Sequence, residues 1–176
     1  MSTAVAAPLP DFPAAVLQAR TVAAIARTRA ARHSAASPAG DALRTIADHL
    51  DVAARVFETD PTPCRDGIPS GAWAALADAE DLAAAHPGIG FPPRFGQYIT
   101  QSLTGNPIDL PAPLNPALPG LASQEANLHA RLRTIHDQLA ASNSTAHAAL
   151  FLHAAFTLHR KHVRIADAVR AHDSRP

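Results

Sequence analysis

Apolar side chains recur every three or four positions over several long stretches of this chain, and no pair of alternating segments suggests a hairpin of strands, so the pattern predicts helices and no sheet. The clearest stripe of the first half is Leu43, Ile46, Leu50, Ala53 and Phe57, spaced 3, 4, 3 and 4, with Asp41 supplying a favourable charge at the start of its helix. Before it, a helix is expected from about Phe12 to Arg32, with Pro13 in the first turn and a loop over 34–40 after it. The prolines and glycine between Asp60 and Ser70 end the second helix. Ser70 is then expected to cap a third, running through Trp73, Leu76 and Leu82 to about His86.

Between Pro87 and Pro119 the pattern breaks down, for eight of the sixteen prolines fall within these 33 residues. One short helix is expected at about Pro93 to Leu103, with Phe95, Ile99 and Leu103 on one side and Gly105 at its end. Residues 106–119 read as an extended, polyproline-like stretch that either wraps the body or meets a partner.

Helical spacing then returns. Leu121, Glu125, Leu128, Leu132, Ile135 and Leu139 follow at 4, 3, 4, 3 and 4. A turn at Ser142, Asn143 and Ser144 leads into a helix reaching about Ala171. Leu152, Phe156 and Val163 share one line of that helix, while Phe151, Leu158, Ile165 and Val169 share its neighbour. So short a connection makes the two helices antiparallel neighbours. The expected architecture is all-α: a flexible leader over 1–10, then one helical-bundle domain over 11–176. It has about five to six helices, a proline-rich connection within 87–120 and a long C-terminal antiparallel hairpin.

Composition narrows the function classes. Arginine outnumbers lysine fourteen to one, and aromatic residues are few, so alanine and branched aliphatics must fill the core with little apolar area apiece. Formal net charge is zero, against a wholesale nucleic-acid binder. Its distribution is uneven, at +3 over residues 1–35, −6 over 36–117 and +3 over 118–176. An acidic middle can neutralise basic ends within the fold, or the ends can meet an anionic partner. Arg160, Lys161 and Arg164 form a basic patch on the last helix, without the interleaved aromatics of a nucleic-acid surface. The single cysteine, Cys64, excludes an intrachain disulfide framework, and no apolar run reaches the length of a membrane span. A cytoplasmic setting is the expectation.

The chemistry concentrates at the end of the chain, where seven of ten histidines fall in the last 48 residues. Counting levels outward from a turn at Asn143 sets Glu125 near His162, and His129 within a turn of His153 and His159. Glu125 with His129 and His159 with His162 are each at helical spacing. Carboxylate and imidazole groups meeting inside a bundle are transition-metal ligands, so Glu125, His129, His159 and His162 are the candidate divalent-metal set. No Glu-x-x-His pair of the di-iron bundle kind occurs. Gly88-Ile89-Gly90-Phe91 lacks the third glycine and preceding strand of a dinucleotide loop, and Gly67-Ile68-Pro69-Ser70-Gly71 misplaces the serine of a nucleophile elbow. Without a catalytic signature, the leading expectation is a helical protein that binds a protein partner or its own copy as an adaptor, accessory or assembly subunit. The alternative is a histidine-lined metal or small-ligand site with hydrolase or isomerase chemistry.

Overall fold

A computed structural model describes residues 12–60, 68–92, 94–104, 110–142 and 145–175. The leader expected over 1–10, Cys64 and the turn expected at Asn143 lie outside the described residues. Among the described residues the chain is all-helical. The helices are α1 (Phe12–Ala30), α2 (Pro38–Thr59), α3 (Ser70–Ala85), α4 (Phe95–Thr104), α5 (Pro119–Ser142) and α6 (Thr145–Asp173), with a 3-10 turn at Pro87–Ile89 between α3 and α4.

α1 and α2 form the foundation, and α3 also packs on α2. The stripe Leu43, Ile46, Leu50, Ala53 and Phe57 is buried along its whole length, as its spacing requires. Polar contacts fix the register with α1. Arg20 pairs with Glu58 at 2.7 Å, and Arg27 pairs with Asp51 and, at 3.5 Å, with Asp48. Small residues set the α2–α3 approach: Ala72, Ala75, Leu76 and Ala79 face inward, and a Cβ on Gly71 would lie 3.3 Å from Val56. Trp73 therefore stands outward, 54% exposed, beside rather than on the buried line.

Two helix starts differ from the sequence reading. α2 begins at Pro38, inside the stretch expected to be loop, because the Ser37 hydroxyl caps it by accepting from Gly40 N–H and Pro38 suits the first turn. α3 has Pro69 at its cap and Ser70 inside the helix, with no side-chain cap bond. Pro69 fixes an extended backbone at that point, which moves the first helical residue forward to the serine.

α4 lies on α1 and α3, with Phe95 and Ile99 fully buried. Its tie to α1 is polar as well: the buried Gln18 amide, oriented with nitrogen toward α4, donates to the carbonyls of Tyr98 and Ile99. α6 reaches the same core through Leu152 and Phe156. Phe91, Phe95 and Phe156 meet edge to face, with Phe91 and Phe156 centroids 4.9 Å apart.

The other side of α6 packs on α5 around a smaller apolar cluster. Leu132, Phe151, Ala155 and Leu158 are its buried members, flanked by Leu110, Leu128, Ile135 and Leu139. Contacts pair Ser142 with His147, His136 with Phe151, and Glu125 with His162, so partners descend one helix as they climb the other. Residues 110–118, without regular secondary structure, lie against α5.

Candidate functional site

α6 presents two neighbouring lines of side chains, and that division decides where its histidines go. Phe151, Ala155, Leu158 and His162 step by 4, 3 and 4 along the line facing α5, whereas Leu152, Phe156 and His159 step by 4 and 3 along the line facing α1. His159 and His162 are three apart yet fall on different lines.

Glu125 and His162 meet as the level count expects. His162 Nε2 lies 2.7 Å from Glu125 Oε1, and the same oxygen accepts the backbone N–H of Leu114 at 3.0 Å. An oxygen already taking a backbone proton is an acceptor, so the imidazole donates. Glu125 is 2% exposed, the one acidic side chain among the buried residues described, and its Oε2 has no hydrogen-bond partner among them. A buried carboxylate oxygen without a donor is costly, and among the described residues it is the one buried side-chain polar atom left unpaired.

His129 goes elsewhere. Its Nε2 donates to Pro111 O at 3.1 Å, so the segment before α5 satisfies it instead of α6. His159 is half-buried on the α1 side, where burial, then the nearby His162 and Arg29, pull its pKa below the ordinary imidazole value. Of the four candidate ligands, the structure therefore joins Glu125 and His162. It parts His129 and His159 from them, because residues 110–118 offer a closer acceptor and because α6 turns His159 toward α1. Among the described residues, no group of three or more His, Cys, Asp and Glu side chains is placed to hold one metal ion.

Residues outside the histidine set share the polar interior. The Arg29 guanidinium donates to Ile89 O, Gly90 O and Phe156 O at 3.2, 3.0 and 3.4 Å, and lies over the rings of Phe91 and Phe156. Burial, reinforced by Arg160 and Arg32, lowers its pKa to about 10. The sequence reading missed Arg29, although a signal was there: Gln18, Val22, Ile25 and Arg29 step by 4, 3 and 4 along a buried side of α1. A surface depression of about 510 Å³ is lined by Arg27, His33, Arg44 and Asp48, and no residue of the C-terminal histidine group borders it.

Comparison with protein-family models, with curated proteins and with solved structures finds no match to this chain. No described helix is long and apolar enough to cross a membrane.

Proposed function

We propose that this chain is a helical interaction protein, an assembly or accessory subunit whose α5–α6 layer pairs with a second copy of itself. The observation that carries this reading is the thin burial of α5: of its 24 residues, Glu125 and Leu132 alone are buried among those described. Leu121, Leu128, Ile135 and Leu139 are half-buried, and α6 is the one described helix packing substantially on α5. On the adjoining helix, Leu150 is 53% exposed. α6 is seated on the α1–α4 core, whereas α5 has chiefly α6 and residues 110–118 against it among the described residues, so a symmetry-related copy laid along α5 and the Leu150 side of α6 completes a second layer. The remaining partner possibility, a different protein chain, is an outcome of the same test.

Light scattering behind size exclusion, over a hundredfold range of concentration, should give about twice the 18.4 kDa chain mass. Leu150→Asp should return the monomer while keeping helical circular dichroism. A monomer at every concentration overturns self-pairing, and a stoichiometric co-purifying chain of different sequence redirects the reading to that partner.

The unpartnered Oε2 of Glu125 favours a second reading, in which Glu125 and His162 hold a divalent transition metal or small ligand for hydrolase or isomerase chemistry. A carboxylate and an imidazole suit zinc or nickel, with other ligands completing the shell. Elemental analysis of native protein without metal, together with no melting shift on adding zinc or nickel, rejects it.

A further inference from the structure

The four arginines of the α1 region have unequal surroundings. Arg20 and Arg27 face carboxylates of α2 and are neutralised there. Arg29 and Arg32 lie at the end of α1 and have no carboxylate within ion-pair distance among the described residues. What they meet is more positive charge. A Cβ built on Gly90 would lie within 4.0 Å of the Cα, Cβ and Cγ of Arg160, while Gly90 O accepts from Arg29, so the two arginines approach the same glycine. Arg32 N–H donates to Arg29 O, so its backbone follows Arg29 by one turn, and its charge is among those that act on the Arg29 guanidinium. His159 precedes Arg160 on α6, and its imidazole feels the Arg29 charge.

Three carbonyls and two aromatic rings solvate the Arg29 guanidinium, but dipoles and quadrupoles bring no net negative charge. The corner where α1, the 87–91 turn and α6 converge thus brings Arg160 of α6 to Arg29 and Arg32 at the end of α1, with no carboxylate in ion-pair contact with them among the described residues. Like charges held at close quarters repel, and an anion between them relieves that repulsion while gaining charge-assisted hydrogen bonds. Guanidinium groups favour planar, bidentate contact with oxyanions, and several of them favour an anion with more than one charge.

We propose that Arg29, Arg32 and Arg160, with His159 beside them, form a binding site for a multiply charged oxyanion of the phosphate type. Arg29 is the fixed member, anchored by its carbonyls, and Arg32 and Arg160 are the members that close on the ligand. The site is separate from the Glu125–His162 pair and does not depend on self-pairing through α5–α6.

The test is calorimetric titration of the full chain with inorganic pyrophosphate and with inorganic phosphate. Saturable binding is expected, tighter for pyrophosphate. Arg32→Gln with Arg160→Gln should weaken it about tenfold or more, the loss expected for removing charge-assisted hydrogen bonds. Arg32→Gln alone, at an exposed position, should weaken it in the same direction, and Arg133→Gln, at an exposed position of α5, should leave it unchanged. Absence of saturable heat with either anion overturns the proposal. So does unchanged affinity in both the single and the double variant, or abolition of the heat by sodium chloride at the ionic strength of the titrant alone, since that would reduce the effect to general screening.

Discussion

Leu152 and Phe156 seat α6 on the rest of the molecule, and Phe156→Ala removes the larger of the two contacts. The ring is 1% exposed and touches two others, with centroids 4.9 Å away at Phe91 and 6.1 Å away at Phe95. Truncating a buried Phe to Ala costs about 3–5 kcal/mol through lost transfer and cavity formation. The backbone bond from Arg29 to Phe156 O survives the substitution, so the cavity term dominates and a loss near the middle, about 4 kcal/mol, is expected. Urea unfolding followed by far-ultraviolet circular dichroism measures it. With a slope of about 2 kcal/mol per molar, the midpoint should fall by about 2 M. Val52→Ala, at a 41% exposed position of α2, should stay within about 0.5 kcal/mol of the parent. A Phe156→Ala loss below about 1 kcal/mol would refute the reasoning, because it would mean that α6 is not seated on the Phe91–Phe95 core.

Further outcomes follow from the polar contacts and from one backbone angle. Glu125→Ala and His162→Ala should be non-additive, with a coupling of about 1–3 kcal/mol in a double-mutant cycle by urea unfolding; additivity within about 0.3 kcal/mol would separate the two residues. For His159, the folded pKa lies below the ordinary 6.5, so the unfolded chain takes up the proton first as pH falls. Stability from this group is present above pH 6.5 and is lost on going down through the folded value. The difference in urea midpoint between the parent and His159→Gln should therefore move against the parent between pH 8 and pH 5, and a pH-independent difference would contradict the assignment. Gly90 has φ of 67°, in the left-handed region, so Gly90→Ala should lower stability by about 1–2 kcal/mol in the same unfolding assay. An unchanged midpoint would remove the strain argument.

Much of the helical body was legible because burial follows spacing. The α2 stripe from Leu43 to Phe57 is buried residue for residue, and the two lines on α6 separate into one facing the core and one facing α5. Helix starts were less legible. Ser70 has the chemistry of a cap, yet Pro69 holds the capping position, and Ser37-Pro38 begins α2 within a stretch that composition marks as loop. At the candidate site, the meeting of Glu125 and His162 could be counted from helical rise, because both are on regular elements. The partners Leu114 N–H and Pro111 O could not, since 110–118 has no period to count along. Nor could spacing show that His159 faces α1, because a three-residue step joins two positions without saying which line each belongs to. Arg29 stands on a regular line of α1, but its role in joining α1 to the 87–91 turn and α6 depends on contacts across 60 to 127 residues, which no local period reveals.

Those contacts order the assembly of the molecule in time. Arg29 bonds to carbonyls 60, 61 and 127 residues further along the chain, whereas the ion pairs between α1 and α2 span 38 residues or fewer. Closing a longer loop takes more entropy and more time, so the first three helices can associate while the tail is still being synthesised. Until α6 arrives, Phe91 and Phe95 present bare ring surface beside an unclaimed guanidinium. The nascent chain thus passes through a sticky stage late in translation, and binding of a chaperone to ribosome-stalled intermediates should peak after Thr104 has emerged and end once Phe156 is free of the exit tunnel.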